Sequence, residues 1–270
     1  MSTVIKDPIF TVHVDDIISA SSSQAENNSF KAELRSHWDL SDLGAAKFAL
    51  GIAITRDRLS HTIQLSQTAL IDRIINQFGQ SDTHPVSTSM VQGLVVCRPD
   101  PTLPVSTTVT SWMTRTPYRS LVGSLMYLAV STCPDIAFAI GCLATVFDCY
   151  HPEHWDAAIH VVRYLKGTRE FYLELGGSNP IQPIAFTDSD YANCPITSRS
   201  VGGYCFTLGS SMVSWASHKQ KHTADSSCYT EYIAIHNATH EVLFFHQFLD
   251  GLNIHLFTAT PLYCDNDAAC

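Results

Sequence analysis

Residues 184–188 read Ile-Ala-Phe-Thr-Asp, an alternating apolar run that closes on a carboxylate. A period of two places Ile184, Phe186 and Asp188 on one face of a strand. Further short runs with strand character lie at 171–175, 203–208, 212–215 and 262–264. A long helical pattern at 226–249 precedes the last of them, with Gly251 just beyond. Several strands, then a helix, then one more strand indicate a mixed α/β sheet.

Upstream, helical spacing recurs at 118–130, 134–148 and 152–165. Pro134 and Pro152 suit a first helical turn, and Gly167 suits a helix end. The stretch 80–117 is rich in Pro, Ser and Thr and has little periodicity, so it is expected to be a linker. Before it, Leu70, Ile71, Ile74, Ile75 and Phe78 line one side of a helix that Gly79 stops. Residues 48–55 and 62–65 read as hairpin arms around a turn at 57–60. Phe30, Leu34 and Trp38 recur at helical spacing. The chain starts with a strand, in which Phe10, Val12 and Val14 alternate with Thr11 and His13 and lead into Asp15-Asp16.

The chain has 270 residues, enough for one large domain or two ordinary ones. Its 16 Lys and Arg against 25 Asp and Glu leave a net charge of −9, which disfavours a general nucleic-acid clamp. The 9 cysteines include no C-x-x-C pair, so a structural zinc site is not expected. Reduced, packed thiols and an intracellular, cytoplasmic location are expected instead. No Lys/Arg cluster supports nuclear targeting, and the start of the chain has no apolar signal core. The runs 121–130 and 136–147 fall short of the ~20 residues that span a bilayer, so no membrane partner is expected.

Several acids stand where a fold gains nothing from them. Asp15 and Asp16 adjoin at a strand end, where they repel and lose solvation. They are either an exposed turn or a tight metal-binding hairpin. Glu231 shares a stripe with Ile235, Ala238 and Val242, and Asp265 follows Leu262-Tyr263-Cys264. Asp188, Glu231 and Asp265 are either unrelated surface acids or a convergent cluster that needs cations. Hard oxygen ligands suit Mg²⁺, with Mn²⁺ as the alternative, and two such ions clamp phosphodiester chemistry. His236 and His240 have helical ligand spacing, but Asn237 breaks the His-Glu-x-x-His pattern, so an exposed face is expected. Ser226 reads as an N-cap, and the stripe Phe244, Phe245, Phe248 and Leu249 reads as core.

The motifs HVDDI (13–17), DLGAAKFALGI (42–52), IQLSQ (63–67), YRSLVGSLMYLAVSTCPDIAFAI (118–140) and HWDAAIHVVRYLKGT (154–168) occur in order. TDSDYAN (187–193), SRSVGGYCFTLGSSMVSWASHKQ (198–220), SSCYTEYIA (226–234) and CDNDAA (264–269) follow. In this order and spacing the chain closely resembles the C-terminal part of a copia-type LTR retrotransposon Pol polyprotein. The resemblance implies an α/β (α+β) chain. Residues 1–79 would be the end of a reverse transcriptase palm and thumb, 80–117 a linker and 118–168 a helical thumb or connection segment. Residues 169–270 would be a ribonuclease H-like mixed sheet domain.

It also implies metal binding by Asp15 and Asp16, and catalytic metal ligation by Asp188, Glu231 and Asp265. The substrate class would be an RNA/DNA hybrid, with Arg199, Lys219 and Lys221 on its phosphates and other Pol chains as further partners. Some of the family pattern is expected to be missing. The third polymerase aspartate has no match, because Asp7 is too close to Asp15. The closing helix and late fourth ribonuclease H residue have none either. Polymerisation by this chain alone is therefore not expected, and a non-catalytic remnant that binds nucleic acid or Pol chains is the alternative.

Overall fold

Apolar repeats at helical spacing build the centre of this protein, seen in a computed structural model that describes residues 8–99, 102, 106–192, 194, 197–256, 258–266 and 269. Helix α1 (Gln24–His37) follows the hairpin of β1 (Ile9–His13) and β2 (Asp16–Ala20). The Ser23 hydroxyl caps α1 by accepting from the Glu26 N–H, and Phe10 stacks on Phe30 with ring centres 5.1 Å apart. Next come β3 (Phe48–Ala49), β4 (Ile52–Asp57), β5 (Thr62–Ser66) and α2 (Thr68–Gln77). Leu70, Ile71, Ile74 and Ile75 of α2 are buried, as the pattern predicts.

The main core lies between α2, α4 (Tyr118–Ser131), α5 (Ala137–Ala144) and α6 (Pro152–Gly167). Leu121, Val122, Leu125, Leu128, Val161 and Val162 are fully enclosed. Burial of each such side chain contributes roughly 1.5–3 kcal/mol. Tyr118 stacks on Tyr150 at 4.4 Å, and its hydroxyl donates to the Leu143 carbonyl at 2.8 Å. A 3₁₀ turn at Pro134–Ile136 leads into α5. Pro152 opens α6, where the His154 ring accepts from the His151 N–H at 2.9 Å, so both histidines serve the helix start.

Two features bear on the expected boundaries. The stretch expected as a linker, 80–117, carries α3 (Thr107–Arg115), capped by Ser106. It also buries Val96 and packs Met90, Leu94, Trp112 and Met113 on the core. Its isolated apolar anchors are diluted among Ser, Thr and Pro, so no period shows. The second concerns β6 (Leu173–Gly176), which follows position 169 but pairs antiparallel with β5, Leu65 opposite Leu173. It completes a sheet in the order β3-β4-β5-β6.

A second four-stranded sheet contains β7 (Pro183–Asp190), β8 (Val201–Leu208), β9 (Ser211–Lys219) and β10 (Leu262–Tyr263). Its order is β10-β7-β8-β9, antiparallel from β7 to β9, with β10 parallel to β7. Helix α7 (Ser227–Gly251) crosses over β7 and β8 on the way to β10. Ser226 caps it by accepting from the Tyr229 N–H. The seam is narrow: Ala234 and Ala238 are buried, and at Gly202 of β8 an added Cβ would stand 3.5 Å from Ala234. The Phe244–Leu249 stripe therefore departs from the expected core. Leu249 is buried and Phe245 stacks on Phe206, but Phe244 and Phe248 are 55% and 50% exposed. Small residues draw one face of α7 onto the sheet, and the phenylalanines beside that face are left outside.

Among the described residues no helix is long and apolar enough to cross a membrane. Leu125→Ala is expected to cost about 2–5 kcal/mol in urea unfolding, because it empties a closed core. Phe244→Ala is expected to stay within about 0.5 kcal/mol in the same measurement.

Candidate functional site

Parallel pairing creates the site. Leu262 lies opposite Ala185 and Tyr263 opposite Phe186, and the Ala185 N–H donates to the Pro261 carbonyl at 2.9 Å. The same register, carried past Tyr263, takes Cys264 and Asp265 to the end of β7 that bears Asp188. On β7 the alternation holds, with Ala185, Thr187 and Ser189 buried and Asp188 on the exposed face. Glu231, from the start of α7, is 4% exposed. The possible ligand atoms of Glu231, Cys264 and Asp265 all lie within 4.8 Å of one another.

The local hydrogen bonds hold these groups in place. The Cys264 thiol donates to Glu231 Oε2 at 3.6 Å. The Ser189 N–H donates to Asp188 Oδ1 at 2.8 Å and also supports Glu231. Behind them, buried Gln220 donates from Nε2 to Thr230 O at 3.0 Å and to Ser189 Oγ at 3.3 Å, which locks α7 to β7. Burial holds the Glu231 carboxyl above the ordinary glutamate range, the Cys264 hydrogen bond opposes this, and the fields of Asp188 and Asp265 add to it. Crowded acids with one buried member fit a divalent cation bound through oxygen.

Glu231 and Asp265 thus meet together with Cys264, whereas Asp188, exposed on β7, adds its field to Glu231 and is not in that cluster among the described residues. Asp15 and Asp16 are elsewhere, on the β1–β2 hairpin, where His13 pairs with Asp16 around a two-residue Val14-Asp15 turn. Both carboxylates are exposed there, and Val14 takes φ 53, a left-handed conformation that costs a β-branched residue roughly 1–3 kcal/mol. Among the described residues no three potential ligands gather around this pair. Asp7 lies outside the described residues.

Arg199 and Lys221 are exposed, whereas Lys219 is half-buried beside Cys194. His236 and His240 sit on the outer face of α7, as expected, with Nε2 atoms 3.2 Å apart. Cys264 is the site residue that sequence reasoning passed over. It stands one position before Asp265, but the search was for acids, and only the strand register shows which neighbour faces Glu231.

Residues 5–92 match the family described as reverse transcriptase (RNA-dependent DNA polymerase). The chain is 35% identical over 261 residues, 97% of its length, to a retrovirus-related Pol polyprotein from transposon TNT 1-94 of Nicotiana tabacum, and covers 19% of that protein. It is 31% identical over 258 residues, 96% of its length, to the one from transposon RE1 of Arabidopsis thaliana, and covers 17% of it. An uncharacterized mitochondrial protein of Arabidopsis thaliana is 33% identical over 224 residues, 83% of this chain and 88% of that protein. The class is therefore that of reverse transcriptase-related proteins. Within it, the chain belongs to the Pol polyproteins of copia-type retrotransposons. It spans less than a fifth of the two transposon Pol relatives, at 19% and 17%.

The raised Glu231 value has a definite sign. A carboxyl that binds its proton more tightly when folded adds stability at low pH, and that stability is lost as pH rises through the folded-state value. Glu231→Gln is expected to remove the loss. In metal-free buffer the variant should gain on the parent in urea midpoint as pH rises from below the ordinary glutamate value through the raised one. A constant gap would contradict the burial of a titrating carboxyl.

Proposed function

We propose that the region from β7 to β10 is a ribonuclease H-like unit that hydrolyses the RNA strand of an RNA/DNA hybrid with Mg²⁺. The observation that carries this reading is the close approach of Glu231, from a helix start, to Asp265, just past a strand in parallel register with β7, within the field of Asp188. Membership of the Pol family supports it. So does the sheet order, with one parallel strand beside three antiparallel ones.

Asp188, Glu231 and Asp265 would hold the metal through carboxylate oxygens, with Mn²⁺ as the substitute ion. Bound there, the metal supplies activation of water and neutralisation of charge at the leaving oxygen. The chain itself does the positioning. Cys264 and the Ser189 N–H fix the buried Glu231 carboxylate, and Ser189 also orients Asp188. Arg199 and Lys221, both exposed, would meet phosphates, while the hybrid is read by its shape and its 2′-hydroxyls. The proposal places this work inside the cell. Primer extension is not part of it, because Asp15 and Asp16 have no third acid near them among the described residues.

A second reading is binding of nucleic acid or other Pol chains without cleavage, since a net charge of −9 opposes the firm hold on a hybrid that turnover needs. Cleavage of a labelled RNA/DNA hybrid in Mg²⁺ and in Mn²⁺ separates the two. Turnover that Asp188→Asn or Glu231→Gln lowers at least ~100-fold is expected, because ligands in one constellation act as a unit. Binding with no turnover in either metal, by a chain that melts cooperatively, would sink the nuclease reading.

A further inference from the structure

Two cysteines far apart in the chain meet side by side. Cys97 follows the buried Val96 in the segment between α2 and α3, and Cys194 lies in the loop between β7 and β8. Their Sγ atoms are 3.6 Å apart. Cys194 is 3% exposed, while Cys97 lines a cavity of about 250 Å³ together with Arg98, His151 and His154. Lys219, the last residue of β9, reaches the Cys194 sulfur. Cys142 of α5 stands close enough to feel the same lysine.

These thiols are not equivalent. Burial works to raise Cys194, yet the Lys219 ammonium, Thr197 and the Cys97 thiol together bring it down to about 6. Burial pushes Cys142 up to about 11, against the pull of Lys219. Cys194 is thus the more readily ionised of the two, and the thiolate is the nucleophile.

We propose that Cys97 and Cys194 form a redox pair that a peroxide converts to a disulfide, with Cys194 as the attacking sulfur and Cys97 as the resolving one. The Cys194 thiolate attacks one oxygen of hydrogen peroxide. The O–O bond breaks, hydroxide leaves, and Cys194 becomes a sulfenic acid. The Cys97 sulfur then attacks the Cys194 sulfur, the S–O bond breaks, and water departs with the Cys97 proton. Peroxide gains two electrons and the two thiols lose two. An S–S bond is ~2.05 Å long, so side-chain rotation must close ~1.5 Å. The cavity that Cys97 lines is large enough to hold peroxide beside the pair. The bond ties the segment held in the helical core by Val96 to the loop that follows β7.

The test treats the full chain with a slight excess of hydrogen peroxide at neutral pH, blocks remaining thiols with iodoacetamide and maps peptides by mass spectrometry. A Cys97–Cys194 cross-link is expected at more than about ten times the yield of any pairing with Cys142. Cys97→Ser should stop at a Cys194 sulfenic acid, which dimedone captures. Cys194→Ser should give neither product, with its melting curve as the control for folding. The parent map needs no variant. A cross-link through Cys142, or a Cys194 that stays reduced while other thiols oxidise, overturns the pairing.

Discussion

At Gly141 helix α5 and strand β9 come so close that an added Cβ would stand 3.0 Å from the Ser217 carbonyl oxygen. This close approach lets a helix of the central core cover the edge strand of the second sheet. Trp215 of β9 adds a hydrogen bond from Nε1 to the Ala129 carbonyl at 2.7 Å. The other sheet touches the same strand, where the Gly176 N–H donates to Ser211 Oγ at 2.8 Å. An uncovered edge pairs readily with other chains. Here it is used instead to fix the acid-bearing sheet against the helical core. A side chain at 141 would require the Ser217 backbone to give by a few tenths of an ångström.

What the sequence disclosed follows the reach of the forces involved. Local periodicity showed α2, α4, α6 and α7, because their apolar stripes are written within one or two turns. The partner of β6 was hidden, since nothing near Leu173 specifies Leu65. Helix α3 was hidden by composition, with one capping serine and a few apolar anchors doing the work of a stripe. Phe244 and Phe248 misled because hydrophobicity ranks them as core, whereas the buried Ala234 and Ala238, with Ala234 against Gly202, mark the face that docks. At the site the acids were legible as residues out of place. The approach of Asp265 to Glu231 depends on a parallel register that no local pattern encodes.

Charge at the site works against folding while the rest of the domain supplies the surplus. A buried Glu231 beside two aspartates is costly without a cation, and the hydrogen bonds from Cys264 and the Ser189 N–H offset only part of that cost. Its neighbours are arranged to hold it rather than to neutralise it. Cys264 and the Ser189 N–H donate to it, and Gln220 braces the backbone behind it. Such local opposition to stability is expected where geometry serves binding.

The turn between β1 and β2 has another kind of significance. Val14 is left-handed and 83% exposed, so its side chain neither suits its backbone nor contributes to a core. Most positions in a folded chain lose stability on random change. This one inverts the rule, because glycine or asparagine would relax the turn. For an evolving lineage, position 14 is thus a reserve of unclaimed stability. A descendant freed from whatever use the valine has could draw on that reserve to tolerate damage elsewhere.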